Sequence, residues 1–402
     1  MVRVNMENMR LFNRPVKSIG VLSETKKAEY RVIFPPELVK RWRTEMPKVP
    51  IFVATGAGFG INVSDSDYRA LGAKILKREK ILQLPFVIGV KETQPGDHKI
   101  MGPGIHMTYE HFAESLDRTI KAIHTSEERS VAFIALETMM KVDEKNNRRT
   151  FPTLAPMSIA AAEIVAQLLP WHFLQQNSEK PLRMLPSGLP SFGVPSLKAV
   201  VLGGGIVGET AAKRLAAMGL DVHLLEPNKA RRDALRDKNI ETEDSNRETR
   251  KNAFKSASVL VSGVYRRGAR PPKIVDRQLL NSMAEGALAY FIDIDQGGTP
   301  RLKLLPTSIL EFNDLKLIPG THVWNFSPPN LPSMAAKHTS LALGKAVFEY
   351  AKEIALKGLF AAAADNFTIR TGINIFNGKV TNQGVAETFA HPYMPVEEFI
   401  FA

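Results

Sequence analysis

Short apolar runs alternate with amphipathic stretches along the chain, the pattern of parallel strands joined by helices. Residues 18–22, 51–54, 85–90 and 131–136 are apolar runs of strand length, while 37–44 and 111–123 carry apolar positions at helical spacing. Pro35 and Pro36 lead into the first of these helices, and Ser64-Asp65-Ser66-Asp67 reads as an N-cap opening a short helix to Leu71. The cluster GAGFG at 56–60 reads as a turn, because no helical pattern follows it and no acid closes it. Residues 141–150 are polar and basic and predict a loop at a domain boundary. A long, apolar, alanine-rich helix is predicted over 156–174, then a loop rich in proline and glycine over 175–195.

The most informative pattern spans residues 198–228. An apolar run at 199–202 enters Gly203, Gly204 and Gly205; Ile206, Val207 and Gly208 open a helix that ends near Gly219. A second apolar run, 222–225, closes on Glu226. This is strand, glycine turn, helix, strand, with G-x-G-x-x-G met by Gly203, Gly205 and Gly208. The first glycine permits the tight turn, the second lets a pyrophosphate approach the backbone, and the third lets helix and strand pack closely. The pyrophosphate would rest on the helix N-terminus, and Glu226 stands at the spacing of a carboxylate that accepts from the ribose hydroxyls. Three further apolar runs, 258–264, 287–294 and 315–318, would extend the sheet. A second long helix is predicted over 334–362, with the tail 368–402 returning to the first domain. The expected fold is therefore α/β with two domains. A Rossmann dinucleotide-binding domain, 151–335, is inserted into a Rossmann-like or flavodoxin-like substrate domain made of 1–150 and 336–402. Long helices join the two.

With 402 residues, 44% hydrophobic and 23% charged, the composition is that of a globular protein. The absence of cysteine excludes a disulfide framework and thiolate chemistry and favours the cytoplasm. No apolar run reaches the ~20 residues that span a bilayer, so no membrane partner is expected. Arg3, Arg10, Arg14 and Lys17 against one acid, Glu7, leave a targeting segment open. The net charge is +12, but the basic residues are scattered and no nucleic-acid fold signature accompanies them, so no nucleic-acid partner is expected. The densest clusters are Arg231-Arg232 and Arg266-Arg267 with Arg270 and Lys273.

Sites in open α/β sheets lie beyond the carboxyl ends of the strands. Four polar residues qualify there. Arg31 and Lys91 are cations suited to a small carboxylate, and His111 and Asp295 are a proton acceptor and a charge stabiliser. Each has an ordinary alternative: a surface cation, a strand-end salt bridge with Glu92, a histidine opening a helix, and a cap of the Gln296-Gly297-Gly298 turn. Pattern alone does not combine the four. No His/Glu set has metal-ligand spacing, so no metal is expected, and no serine sits in a nucleophile elbow.

The blocks IGVLSETKKAEYRV, TGAGFG with SDSDYRALGA, VIGVKE, MTYEHFA, PTLAPMS, the glycine stretch, IDQGG, NLP with KHTSLAL, and INIFNGKVT with GVAE follow one another across residues 19–393. In that order they resemble the alanine dehydrogenase family, whose fold is shared with the nucleotide-binding part of nicotinamide nucleotide transhydrogenase. The resemblance implies reversible NAD-dependent oxidative deamination of L-alanine by a homo-oligomer, a hexamer or a dimer. It puts carboxylate binding on Arg31, substrate binding and catalysis on Lys91, and catalysis on His111 and Asp295. Cofactor contacts fall on Gly203, Gly205, Ile206, Val207, Gly208, Glu226, Ser158, Ser245 and Asn330. A carboxylate at 226 favours NAD over NADP, which Arg231 and Arg232 keep open. The chain departs from the family at Gly89 and Thr93 beside the lysine, at Thr299-Pro300-Arg301, and at Pro328-Pro329. Those departures admit an opine-type or other amino-acid reductase with a changed pocket. A transhydrogenase-like subunit without amino-acid chemistry is the other alternative.

Overall fold

The computed structural model describes residues 11–143, 148–174, 184–311 and 314–401. Of the sequence expectations, the basic positions Arg3 and Arg10 and residues 175–183 of the loop before the glycine turn lie outside them. The chain forms two compact units: Met1–Met157 with Arg267–Ala269 and Ala335–Ala402, and Ser158–Arg266 with Arg270–Met334.

The first unit opens with β1 (Ile19–Val21), β2 (Ile51–Ala54), β3 (Lys74–Leu76), β4 (Phe86–Ile88), β5 (Gly104–Thr108) and β6 (Val131–Ala135). These run parallel in the order β6-β5-β4-β1-β2-β3. Read from β3, this is the doubly wound order 3-2-1-4-5-6, which reverses between β1 and β4. Every residue of β1, β4, β5 and β6 is buried, as expected of a parallel sheet covered on both faces. Of the residues expected to form a loop at 141–150, 144–147 lie outside the described residues, and the others pair antiparallel as β7 (Lys141–Asp143) and β8 (Arg148–Thr150). Polarity there reflects a ribbon exposed on its faces, not an absence of ladder bonds.

The second unit holds β9 (Lys198–Leu202), β10 (Asp221–Leu225), β11 (Thr242–Glu243), β12 (Val259–Ser262), β13 (Leu288–Phe291), β14 (Lys316–Leu317) and β15 (Trp324–Asn325). Their order is β11-β10-β9-β12-β13-β15-β14, parallel except for the edge strand β14. The chain then returns to the first unit, where β16 (Ile373–Phe376) adds antiparallel to β6 and β17 (Lys379–Val380) closes the edge.

Three helix expectations are corrected. The helix expected over 111–123 is instead a single turn, Phe112–Glu114, followed by Leu116–Arg129, because Ser115 is extended and caps the second helix by accepting from Arg118 N at 3.3 Å. The helix expected over 334–362 stops at Lys357 and restarts at Leu359. Gly358 sits between them at φ +86, and a Cβ there would lie 2.8 Å from backbone atoms of Phe12 and Arg14. The helix Ala155–Leu174 is, by length and composition, apolar enough to cross a bilayer, contrary to the reading that no stretch is. Within its unit it buries His172, whose Nδ1 meets Tyr290 Oη at 2.7 Å and whose ring packs edge-on to Phe326. A long helix of a protein interior passes the same test of length and composition as a spanning one.

Candidate active site

In the first unit, three of the four catalytic candidates follow the carboxyl ends of adjacent strands. Arg31 lies in the loop after β1, Lys91 just past β4, and His111 just past β5. The first two flank the point where strand order reverses, the place such sheets leave a crevice. All three are buried, so Arg31 is not a surface cation.

Arg31 is held by Glu29 through two parallel bonds, Nε to Oε1 and Nη2 to Oε2, each 2.6 Å, while Nη1 meets Met157 Sδ at 2.9 Å. Burial opposes both charges. The pair overcomes it, holding the Glu29 carboxyl below and the Arg31 guanidinium above their ordinary values. Glu24 accepts from the backbone N–H of Val90 at 2.6 Å and of Lys91 at 3.1 Å, which fixes the chain where Lys91 departs from the sheet. Burial and the Glu29 charge push the Glu24 carboxyl up to about 7. Glu92 behaves oppositely. Burial would raise it, but Lys91, Lys26 and His111 bring it down to about 2, with Lys26 Nζ at 2.8 Å. Lys91 and His111 thus both bear on the Glu92 carboxylate.

His111 adopts φ 47 and ψ 43, a left-handed conformation uncommon for histidine. The Glu137 carboxylate holds it there, accepting from the N–H of His111 at 2.7 Å and of Glu110 at 3.2 Å. The imidazole stacks on the Tyr109 ring at 5.9 Å, and Tyr109 Oη donates to Thr153 O at 2.6 Å. Burial raises Glu137 to about 7.

The second unit gathers the dinucleotide candidates after its own strands. Gly203 follows β9 at φ +89, and Gly205 caps the helix Ile206–Ala217, whose first turn carries Ile206, Val207 and Gly208. A Cβ at Gly208 would lie 1.7 Å from Gly203 O, so the tight turn and the helix cannot coexist with any side chain there. A Cβ at Gly205 would meet nothing within 4 Å. The turn therefore offers an exposed backbone at a helix N-terminus, the form of a phosphate cradle. Glu226 closes β10, accepting from Gly204 N at 2.7 Å and Asn228 N at 2.8 Å. Arg231 is bound to Glu209 and Gly204 O, and Arg232 to Asp244 and the carbonyls of Glu226 and Pro227. Ser245 lies after β11, with its carbonyl accepting from Arg250. Asn330 is buried after β15, and Ser158 lies in the first turn of the helix Ala155–Leu174. Asp295 is in the turn Ile292–Gln296 after β13.

Residues 20–161 match the family profile described as alanine dehydrogenase/PNT, N-terminal domain, and residues 173–383 match that of the C-terminal domain. The chain belongs to the alanine dehydrogenase/PNT family. It is 33% identical over 386 residues to alanine dehydrogenase of Methanococcus maripaludis, covering 94% of this chain and 98% of that one. Alanine dehydrogenase of Bacillus subtilis is 31% identical over 390 residues, covering 94% and 97%. A solved L-alanine dehydrogenase superposes with TM-score 0.77 at 27% identity over 93% of this chain and 99% of that one. The transhydrogenase of Sinorhizobium meliloti shares the fold, with TM-score 0.69 at 14% identity over 91% and 99%.

Several residues of this family member escaped the sequence reading. Glu24, Glu29, Glu137, Met157 and Asp293 all brace candidate residues. Their only linear signal was an acid or methionine a few positions from a strand end. Asp293 accepts from Ser262 Oγ at 2.6 Å and from Thr299 N at 3.3 Å, fastening the turn that carries Asp295, and burial raises it to about 6. Of the departures from the family pattern, Gly89, Thr93, Thr299, Pro300 and Pro328 are interior, while Arg301 and Pro329 are exposed. A Cβ on Gly89 would press on Leu22 at 3.0 Å and Thr108 at 3.2 Å, and buried Thr93 donates to Glu110 at 2.7 Å. Thr299 is buried against Ser262 at 2.8 Å.

Proposed function

We propose that this chain catalyses the reversible NAD-dependent oxidative deamination of L-alanine to pyruvate and ammonia. The observation that carries the proposal is the set of Arg31, Lys91 and His111 after adjacent strands about the reversal point of one sheet, in a chain of this family. Arg31 and Lys91 hold the substrate carboxylate, with Glu29 keeping the Arg31 fork oriented. His111 takes a proton from the substrate ammonium and releases it to solvent, then takes one from the water that attacks the imino carbon and returns it to the nitrogen. The C–N bond then breaks, ammonia leaves and the hydroxyl loses its proton to give the carbonyl of pyruvate. Asp295, in the second unit, takes the charge-stabilising role that its match to the family's aspartate implies. The bound dinucleotide supplies the acceptor for the Cα hydride.

The residues of the glycine turn suit that dinucleotide, since the exposed Gly205 backbone and the helix N-terminus favour a pyrophosphate. Glu226 favours NAD, because a carboxylate accepts from ribose hydroxyls and repels a 2′-phosphate. Arg231 and Arg232 are already engaged by Glu209 and Asp244, which weakens the case for NADP. The buried settings of Gly89 and Thr93 weaken the case for an enlarged substrate pocket. The test is NADH formation with NAD and L-alanine at alkaline pH beside a direct NADH titration. Turnover with alanine is the expected result. NADH binding without turnover would reject alanine as substrate, and absence of both would reject the dinucleotide role of the turn.

A further inference from the structure

A concavity of about 190 Å³ on the second unit is lined by Arg247, Arg250, Lys251, Lys273 and Arg301, with Asp276 as its one acid. The first three come from the helix Arg247–Phe254, and Lys273 and Arg301 form the facing wall. Several cations elsewhere in this unit are matched: Arg214 with Glu163, Arg231 with Glu209, Arg232 with Asp244, Arg236 with Asp233. Among the described residues, no ion pair joins any of the five lining cations to a carboxylate. Asp276 is itself occupied as a helix cap, accepting from Leu279 N at 2.9 Å. Partial burial lowers the Arg250 pKa, and the neighbouring Arg247 charge adds to that against the pull of Asp276. Five cations gathered around one hollow with a single acid give it a positive field that attracts an anion.

We propose that this concavity is a binding site for a compact phosphoryl dianion with two anionic heads, of the diphosphate class. Three arguments select that class. The cations stand on two walls, so a ligand charged at both ends satisfies both. Arginine forks bind phosphoryl oxygens in pairs. A cavity of about 150 Å³ admits benzene, so a diphosphate fits within this one. The site has a route to the chemistry proposed above. Lys273 Nζ donates to Gly297 O at 2.5 Å and Gly298 O at 2.8 Å, the residues that follow Asp295 and Gln296. An anion that draws Lys273 inward loosens that turn. This consequence rests on the proposed role of Asp295; the binding site does not.

The test titrates inorganic diphosphate, by calorimetry, into the Gly205→Val protein, in which the glycine turn is closed to phosphate. One site per chain is expected, and Arg247→Glu with Lys251→Glu in the same background should weaken it by at least roughly tenfold. Among the described residues neither of those exposed side chains has a hydrogen-bond partner, so circular dichroism of the variant should be unchanged. Absence of binding at millimolar diphosphate, or equal binding by the charge-reversed protein, would overturn the site. Tighter binding of citrate than of diphosphate would overturn the choice of phosphoryl chemistry. Catalytic failure with intact diphosphate binding would bear on the proposed function alone.

Discussion

On the proposed function, the two units hold an anion in opposite ways. In the second, the work falls to backbone: a turn with no side chains at Gly203 and Gly205, and the free N–H groups of one helix. In the first, it falls to charged side chains buried in a sheet, each held by another charge, as Arg31 is by Glu29 and the Lys91 backbone is by Glu24. A backbone site tolerates no added atoms at its tight point but needs no counter-charges. A side-chain site tolerates changes of shape but unbalances its neighbours when one charge is removed.

The largest effect should come from Gly208→Ala. Its Cβ would overlap Gly203 O at 1.7 Å, so the second unit should lose more than about 4 kcal/mol of stability, read from thermal unfolding. Arg31→Ala comes next. It should reduce kcat/KM for alanine by about 2–5 kcal/mol, roughly 30- to several-thousand-fold, while leaving Glu29 buried without its cation. Removing both, with Arg31→Ala and Glu29→Ala, should recover part of the stability and none of the activity. Recovery of activity would make the pair purely structural. Gly205→Val should leave the melting temperature unchanged, since its Cβ meets nothing, yet weaken NADH about a hundredfold, near 2.7 kcal/mol. Unimpaired NADH binding would remove the turn from the cofactor site.

The smallest effect concerns pH. Burial depresses His106 on β5 to about 3 from an ordinary value of 6.5. Its contribution to stability is therefore whole above 6.5 and is lost as pH falls toward 3. Glu24 and Glu137, raised to about 7 from 4.5, act the other way. Their contribution is whole below 4.5 and is lost as pH rises through 7. His106→Leu should thus flatten the acid limb, shrinking the change in urea unfolding free energy between pH 6.5 and 4 by about 1–3 kcal/mol. An unchanged acid limb would show that His106 is not held neutral.

How much was legible follows the same division. The glycine turn was read residue by residue because its parts are neighbours in sequence. Strand β5 was not foreseen, since GIHMT after the pair Gly102-Pro103 lacks an apolar run, and only burial between β4 and β6 makes it a strand. The interior setting of Gly89, Thr93 and Thr299 was equally hidden, and so the family departures there were read as pocket changes.

By itself the sequence determined the alternation of strands and helices, the dinucleotide turn and the family, because periodicity and local spacing act over a few residues. Tertiary structure alone decided which acids brace Arg31, Lys91 and His111, how far burial moves their protons, and which five cations face one hollow. Those properties depend on strand order and on distance from water, and residues such as Glu24 and Lys91, 67 positions apart, meet only when the sheet is assembled.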